Sequence, residues 1–144
     1  MQWQNSGVAM TSNLEDMFAF QLDYPDRKLS PNARGRWMTK EGARRAAKTE
    51  GYTIARLAME SQTFVPASAY EVDITFYPPD RRHRDIDNVF SSIKSHLDGA
   101  CQALGINDSS FKTFTLRFGE PVRNGRVDVK IRPIINKNTK ENEK

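Results

Sequence analysis

Cysteine occurs once in this chain of 144 residues. A lone Cys101 can close no internal disulfide and build no cysteine-rich zinc site, and its place in "LDGACQALGI" reads as a small core residue rather than a nucleophile. Long apolar runs are missing too. Nothing approaches the roughly 20 residues that would cross a bilayer, which excludes a transmembrane helix. The opening "MQWQNSGVAM" has neither the basic start nor the apolar middle of a secretory signal, so a cytoplasmic protein is expected. No phosphate-binding glycine loop, dinucleotide fingerprint or Gly-x-Ser-x-Gly elbow is present. His83 and His96 have no spacing that recommends zinc. Glycine and proline are few, eight and seven, and with 38% hydrophobic and 28% charged residues the chain is neither fibrous nor disordered in composition. One globular domain is expected at this length.

What is present is positive charge, unevenly spread. The net charge is only +4, but Arg27 to Arg56 holds nine Lys or Arg against two Glu, and Arg81, Arg82 and Arg84 follow around His83. Such a field favours an anionic partner, most economically a nucleic-acid backbone, although a solvated basic face accounts for charge alone equally well.

Periodicity divides the chain into elements. Alternation in "MFAFQLDYP" (17–25) predicts a strand, "DRKLSPNARGRW" a loop, and residues 41–61 a helix with Ala43, Ala47, Ile54, Leu57 and Ala58 near one face. "AYEVDITFYP" (69–78) predicts a half-buried strand. Val89, Ile93, Leu97, Ala100, Cys101 and Leu104 predict a second helix that starts after Asp87-Asn88 and ends at Gly105. "FKTFTLRFGE" and "RVDVKIRPI" read as strands joined by a hairpin, because Asn124-Gly125 is a strong hairpin turn signal. The expectation is an α+β fold, an α/β sandwich in the order β-α-β-α-β-β, with two helices on one mixed sheet over residues 17–135. Residues 1–16 form a polar leader and 136–144 a flexible polar tail.

"PPDRRHRDIDNVF" (78–90) sets this basic run against Asp85 and Asp87. Two carboxylates two residues apart in an extended connection can point the same way. A third, Asp108, lies in "GINDSSF" beyond the second helix and joins them only if its loop runs back along the sheet. Clustered carboxylates repel one another unless a hard cation sits between them, which suits Mg²⁺ or Mn²⁺. Arginines would draw in a phosphate backbone that a carboxylate-held cation lets approach. The plainer reading is that Asp87 or Asn88 caps the helix and Asp108 belongs to a turn.

"DRRHRDIDNVFSSIKSHLDGACQALGINDSSF" resembles the core of the RusA family of Holliday-junction resolvases, and "LSPNARGRW" resembles that family's Pro-Ser-Asn loop. The resemblance implies a Mg²⁺-dependent endodeoxyribonuclease that resolves four-way DNA junctions by paired nicks, as a homodimer, in recombination and repair. It implies Asp85, Asp87 and Asp108 as metal ligands and Lys94 as the helix lysine, four residues before Asp98. Arg81, Arg82, Arg84 and Asn88, with Asn32, Arg34 and Arg36 in the loop, become candidate DNA contacts. "VFSSIK" is about three residues longer than the family spacing, nearly one helical turn, and Asn107-Asp108 stands where many members have two aspartates. Members are often encoded by phages or prophages. The alternatives are a non-catalytic nucleic-acid-binding protein on the same scaffold, or a metal nuclease acting on other branched DNA or RNA.

Overall fold

Strict alternation in "YEVDITFY" makes strand β2, Tyr70–Tyr77, with Tyr70, Val72, Ile74 and Phe76 fully buried on one face and Glu71, Asp73 and Thr75 on the other. In a computed structural model of the protein, which describes residues 16–31 and 37–135, β2 is a central strand. The sheet order is β1-β4-β2-β3, with β1 Phe18–Leu22, β3 Phe111–Phe118 and β4 Arg126–Pro133. Strand β4 runs antiparallel to both β1 and β2, and β3 runs parallel to β2. The fold is α+β on a mixed sheet, as the sequence predicts. Asn32, Arg34 and Arg36, nearly all of the leader and the tail 136–144 lie outside the described residues.

The predicted hairpin is corrected. Asn124 and Gly125 do take the positive φ that such a turn needs, 66° and 69°, but β3 and β4 do not pair, because β2 lies between them. Residues 119–125 instead cross the end of β2. The Gly119 N–H donates to the Phe76 carbonyl at 2.9 Å and the Val122 N–H to the Pro78 carbonyl at 2.9 Å. A turn signal fixes the local chain reversal and leaves the neighbouring strand undetermined.

Helix α1, Trp37–Ala58, buries Ala47, Gly51 and Ala55 at steps of four, whereas Leu57, expected on that face, is 57% exposed. The predicted second helix is two: α2, Ile86–Ser92, and α3, Lys94–Leu104. Ile93 between them has φ −105° and ψ 7° and is fully buried. The Ser92 hydroxyl donates to the Asn88 carbonyl at 2.9 Å, a back-bond that bends helices. Gly105, at φ 74°, ends α3 as expected. Val89, Ile93, Leu97, Ala100, Cys101 and Leu104 join the strand side chains in one core, each large one contributing about 1.5–3 kcal/mol by burial.

Helices α1 and α3 cross on two glycines. A Cβ on Gly99 would lie 1.9 Å from the Lys48 carbonyl oxygen, and one on Gly51 would lie 2.0 Å from the His96 carbonyl oxygen. Only hydrogen fits at either point.

Candidate active site

Asp85 starts α2. Its backbone is extended (φ −89°, ψ 122°), and its Oδ1 accepts the Asp87 N–H at 3.0 Å, so the cap falls earlier than Asp87 or Asn88. Asp85 and Asp87 are both exposed. One bond to Oδ1 leaves most of the acceptor capacity of the Asp85 carboxylate open, since an ionised carboxylate offers about four lone-pair sites. Two adjacent hard-oxygen donors suit Mg²⁺, which commonly takes one or two carboxylates and completes its shell with phosphate oxygens and water.

The basic run does not act as one block. Arg84 is largely buried. Its guanidinium donates to Asp80 Oδ1 at 2.9 Å, to the Asp80 carbonyl at 3.1 Å and to the Arg82 carbonyl at 2.9 Å. That group ties the loop together. The Arg82 N–H and the Arg84 side chain beside Asp80 hold its carboxyl below the usual range. Arg81 and Arg82 stay exposed, paired at the surface with Glu120 at 3.2 Å and Asp80 at 3.1 Å. Exposed pairs of this kind are worth little and exchange readily for a phosphate.

Beside Asp85 opens a cavity of about 390 Å³, walled by Tyr24, Arg27 and Ser30 from the segment after β1 and by His83, Asn88 and Ser92 around the start of α2. Arg84 lies over the Tyr24 ring, 5.7 Å from its centroid. The depression thus combines carboxylates, cations, an amide and a phenol on one side of the molecule.

Asp108 is elsewhere. Strands β2 and β3 are parallel with Tyr70 beside Phe111, so Asp108, in the short 3-10 turn Asp108–Ser110, stands at the end of the sheet where β2 begins. Asp85 belongs to the other end. Its neighbour Arg84 covers Tyr24, whose side chain abuts Gly125 close to the Tyr77 carbonyl. The length of β2, about 23 Å, separates the two ends. Among the described residues no three His, Cys, Asp or Glu stand together as a metal cluster. Asn107 has a structural use, its side chain accepting the Ser109 N–H at 2.9 Å. Lys94 opens α3, roughly 12 Å of helix beyond Ile86. Its ammonium sits 5.4 Å from the Phe90 ring centroid, and it is not part of the cavity wall.

No family model matches the chain. A protein of Xylella fastidiosa (strain Temecula1), described as "Uncharacterized protein", is 33% identical to it over 121 residues, which cover 83% of this chain and 79% of that protein. The chain belongs to that protein's family. That protein has no activity in its name, so the likeness establishes common descent and nothing of the chemistry.

Two features of this family member escaped the reading of its sequence. Tyr24 looked like the last residue of a strand, yet the residue lines the cavity, while its hydroxyl is buried with no hydrogen-bond partner among the described residues. Burial pushes its pKa up against the lowering effect of Arg84. His96 is buried between α1 and α3 with Nε2 3.4 Å from Glu50 Oε1. Its position three residues after Ile93, inside the apolar stripe, was the available signal. Cys101, buried near Asp108 and Asp98, has its thiol pushed up to about 12, which suits the inert core residue expected. No helix among the described residues is long and apolar enough to cross a membrane.

Proposed function

We propose that the protein is a Mg²⁺-dependent, structure-selective DNA endonuclease that resolves Holliday junctions by paired, symmetric nicks in recombination and repair, working in the cytoplasm as a homodimer. The observation that carries the reading is the pair of exposed carboxylates at the start of α2, Asp85 on the wall of a cavity and Asp87 next to it in the same turn, with exposed Arg81 and Arg82 in the loop that leads to them. The resemblance of residues 80–111 to RusA-type resolvases supports the same chemistry. In this reading Asp85 and Asp87 hold the ion and fix its place relative to the loop. Bound there, the ion would supply polarisation of a phosphoryl oxygen and acidification of a water. Arg81 and Arg82 release their surface carboxylates and bind the phosphates flanking the cut. Arg84 keeps the loop in shape, and Asn88 presents its amide to the nucleotide in the cavity. Asp108 reaches the same ion only from a second copy, because one copy holds it at the opposite end of the sheet. Such sharing makes the homodimer part of the site, and a two-fold pair of sites matches the near two-fold symmetry of a four-way junction.

The separation of Asp108 from Asp85 is also what favours a second reading, a nucleic-acid-binding protein without catalysis. A labelled immobile four-way junction and a matched linear duplex, each incubated with and without Mg²⁺, separate the two. Paired nicks in the junction lane with Mg²⁺ alone are the expected result. Binding of the junction with no cut in Mg²⁺ or Mn²⁺ leaves the second reading standing.

A further inference from the structure

We propose that the homodimer forms along the open edge of the sheet, strand β3 pairing antiparallel with β3 of a second copy about a two-fold axis at Leu116, so that the two sheets become one. The inference rests on the homodimer of the nuclease reading and names the surface that builds it. No described strand covers the outer side of β3. Its register with β2 sets Phe114 beside Val72, Leu116 beside Ile74 and Phe118 beside Phe76, so these three side chains share the face that the helices cover. Thr113, Thr115 and Arg117 take the other face. Val72, Ile74 and Phe76 are fully buried, yet Phe114 and Phe118 stay about two-fifths exposed, although Phe90 packs on Phe114 with ring centroids 5.0 Å apart. That row of the core is left unfinished at the edge. Edge strands that refuse partners commonly carry bulges or inward charges. The bulge in β3 lies at its start, opposite Tyr70 and Glu71, and the inward positions from Phe114 to Phe118 are all apolar.

The order of the side chains says what the partner is. An isologous interface sets one patch against itself, so it needs a sequence that matches its own reverse. The apolar face of "FTLRF", residues 114–118, has that property. With Leu116 opposite the partner's Leu116, Phe114 meets the partner's Phe118, and on the other face Thr115 meets the partner's Arg117. Other registers are penalised. A slip of one residue turns the phenylalanines toward the polar face. Moving the axis to Thr115 sets Phe118 against the partner's Lys112, and moving it to Arg117 sets two arginines directly opposite each other. Direction matters as well. Asp108 precedes β3, and Asp85 belongs to the end of the sheet where β3 stops. Antiparallel pairing points the partner's Asp108 turn toward the Asp85 end, which is the sense that a shared site requires.

The test uses the full chain without DNA, in sedimentation at micromolar concentration, where wild type is expected to run as a dimer. Thr115 and Arg117 are exposed, so their variants should melt close to wild type. Thr115→Lys places like charges opposite each other at two symmetric points and should weaken the dimer about tenfold at low salt. Adding Arg117→Glu makes both points opposite in sign and should restore the dimer to within about threefold of wild type. Under mild oxidation Leu116→Cys should link two copies faster than Thr115→Cys or Arg117→Cys, because only a residue on the axis meets its own counterpart. Wild type, whose one cysteine is buried, is the blank. A monomeric wild type, a dimer that Thr115→Lys leaves as tight, a loss that Arg117→Glu does not restore, or faster linking at Thr115 or Arg117 overturns this interface. Junction cleavage in Mg²⁺ keeps the two readings apart. A dimer of this kind that cuts no branched DNA overturns the nuclease and leaves the interface standing, whereas a monomer that cuts overturns the interface and leaves the nuclease.

Discussion

At the scale of single residues, Asp85 joins a structural role to a chemical one, and a substitution can part them. Asn at this position keeps an oxygen for the Asp87 N–H and caps a helix about as well as Asp, so Asp85→Asn should melt close to wild type. It removes one negative charge from the rim, so cleavage should fall about a hundredfold or more while junction affinity holds or rises. Wild-type cleavage by this variant would take Asp85 out of the chemistry. The arginines divide in a similar way. Arg84→Ala removes one of the donors to Asp80, which keeps those of Arg82, together with the side-chain donor to two carbonyls, and should lower the midpoint in denaturant melts. Arg81→Ala and Arg82→Ala should leave stability nearly untouched and each flatten the slope of log affinity against log salt by roughly 0.9 on duplex arms. An unchanged slope in the double variant would turn that run away from DNA and pass the role to Arg44, Arg45 and Lys48. Lys94→Ala should slow turnover on a bound junction about tenfold, or about 1.4 kcal/mol of barrier. Normal single-turnover cleavage would leave Lys94 only its packing on Phe90.

At the scale of elements, the α1–α3 crossing governs both stability and its pH dependence. Gly99→Ala drives a methyl into the Lys48 carbonyl and must part the helices, a cost of about 1–3 kcal/mol that should appear as a lower denaturation midpoint. His96 lies in the same interface. Burial holds its pKa below 6.5, against Glu50 and, more weakly, Asp23, both of which favour the protonated form. The unfolded chain therefore takes up this proton first as pH falls. The stability linked to His96 is full above 6.5 and drains away as pH drops toward the lower folded value. Wild type should lose stability as pH falls below about 6.5, and His96→Gln should flatten that fall; equal slopes would show that His96 does not govern it. These elements also show what a sequence carries. Alternation in 70–77 and the stripe from Val89 to Leu104 are local, because side-chain period reports burial directly. The pairing of β4 with β2 joins residues far apart in the chain, Tyr70 with Pro133 and Tyr77 with Arg126, and no residue in "PVRNGR" encodes it. The break at Ile93 was hidden because Ile93 keeps its place in the apolar stripe while its backbone leaves the helix.

At the scale of the whole molecule, the two edges of the sheet are treated differently. The outer edge of β1 is closed by Gln62, whose side chain accepts the Ala19 N–H at 2.8 Å and donates to the Ala19 carbonyl at 2.7 Å. Strand β3 is the other edge. Phe114 and Phe118 stand about two-fifths exposed along it, and no described strand pairs its outer side. An asymmetry of this kind leaves the outer side of β3 open to pairing by another strand, with Lys112 and Arg117 on the strand setting limits on its register. The candidate site was legible in its near half, where Asp85 and Asp87 are neighbours in sequence and stay neighbours in space. Its far half was not, since the place of Asp108 depends on the parallel pairing of β2 and β3. If two copies share the site, the loss in each single-residue variant is curable by the other. Asp85→Asn and Asp108→Asn homodimers should each fail to cut, while a mixture refolded together contains heterodimers with one intact set of carboxylates and one doubly damaged set. Such a heterodimer nicks one strand of the junction and leaves its opposite strand whole, so singly nicked junctions should appear in the mixture and in neither parent. A mixture as silent as its parents would put all three carboxylates to work within one copy, through a movement of the Asp108 turn. Wild-type cutting by Asp108→Asn alone would show that Asp85 and Asp87 hold the ion without it.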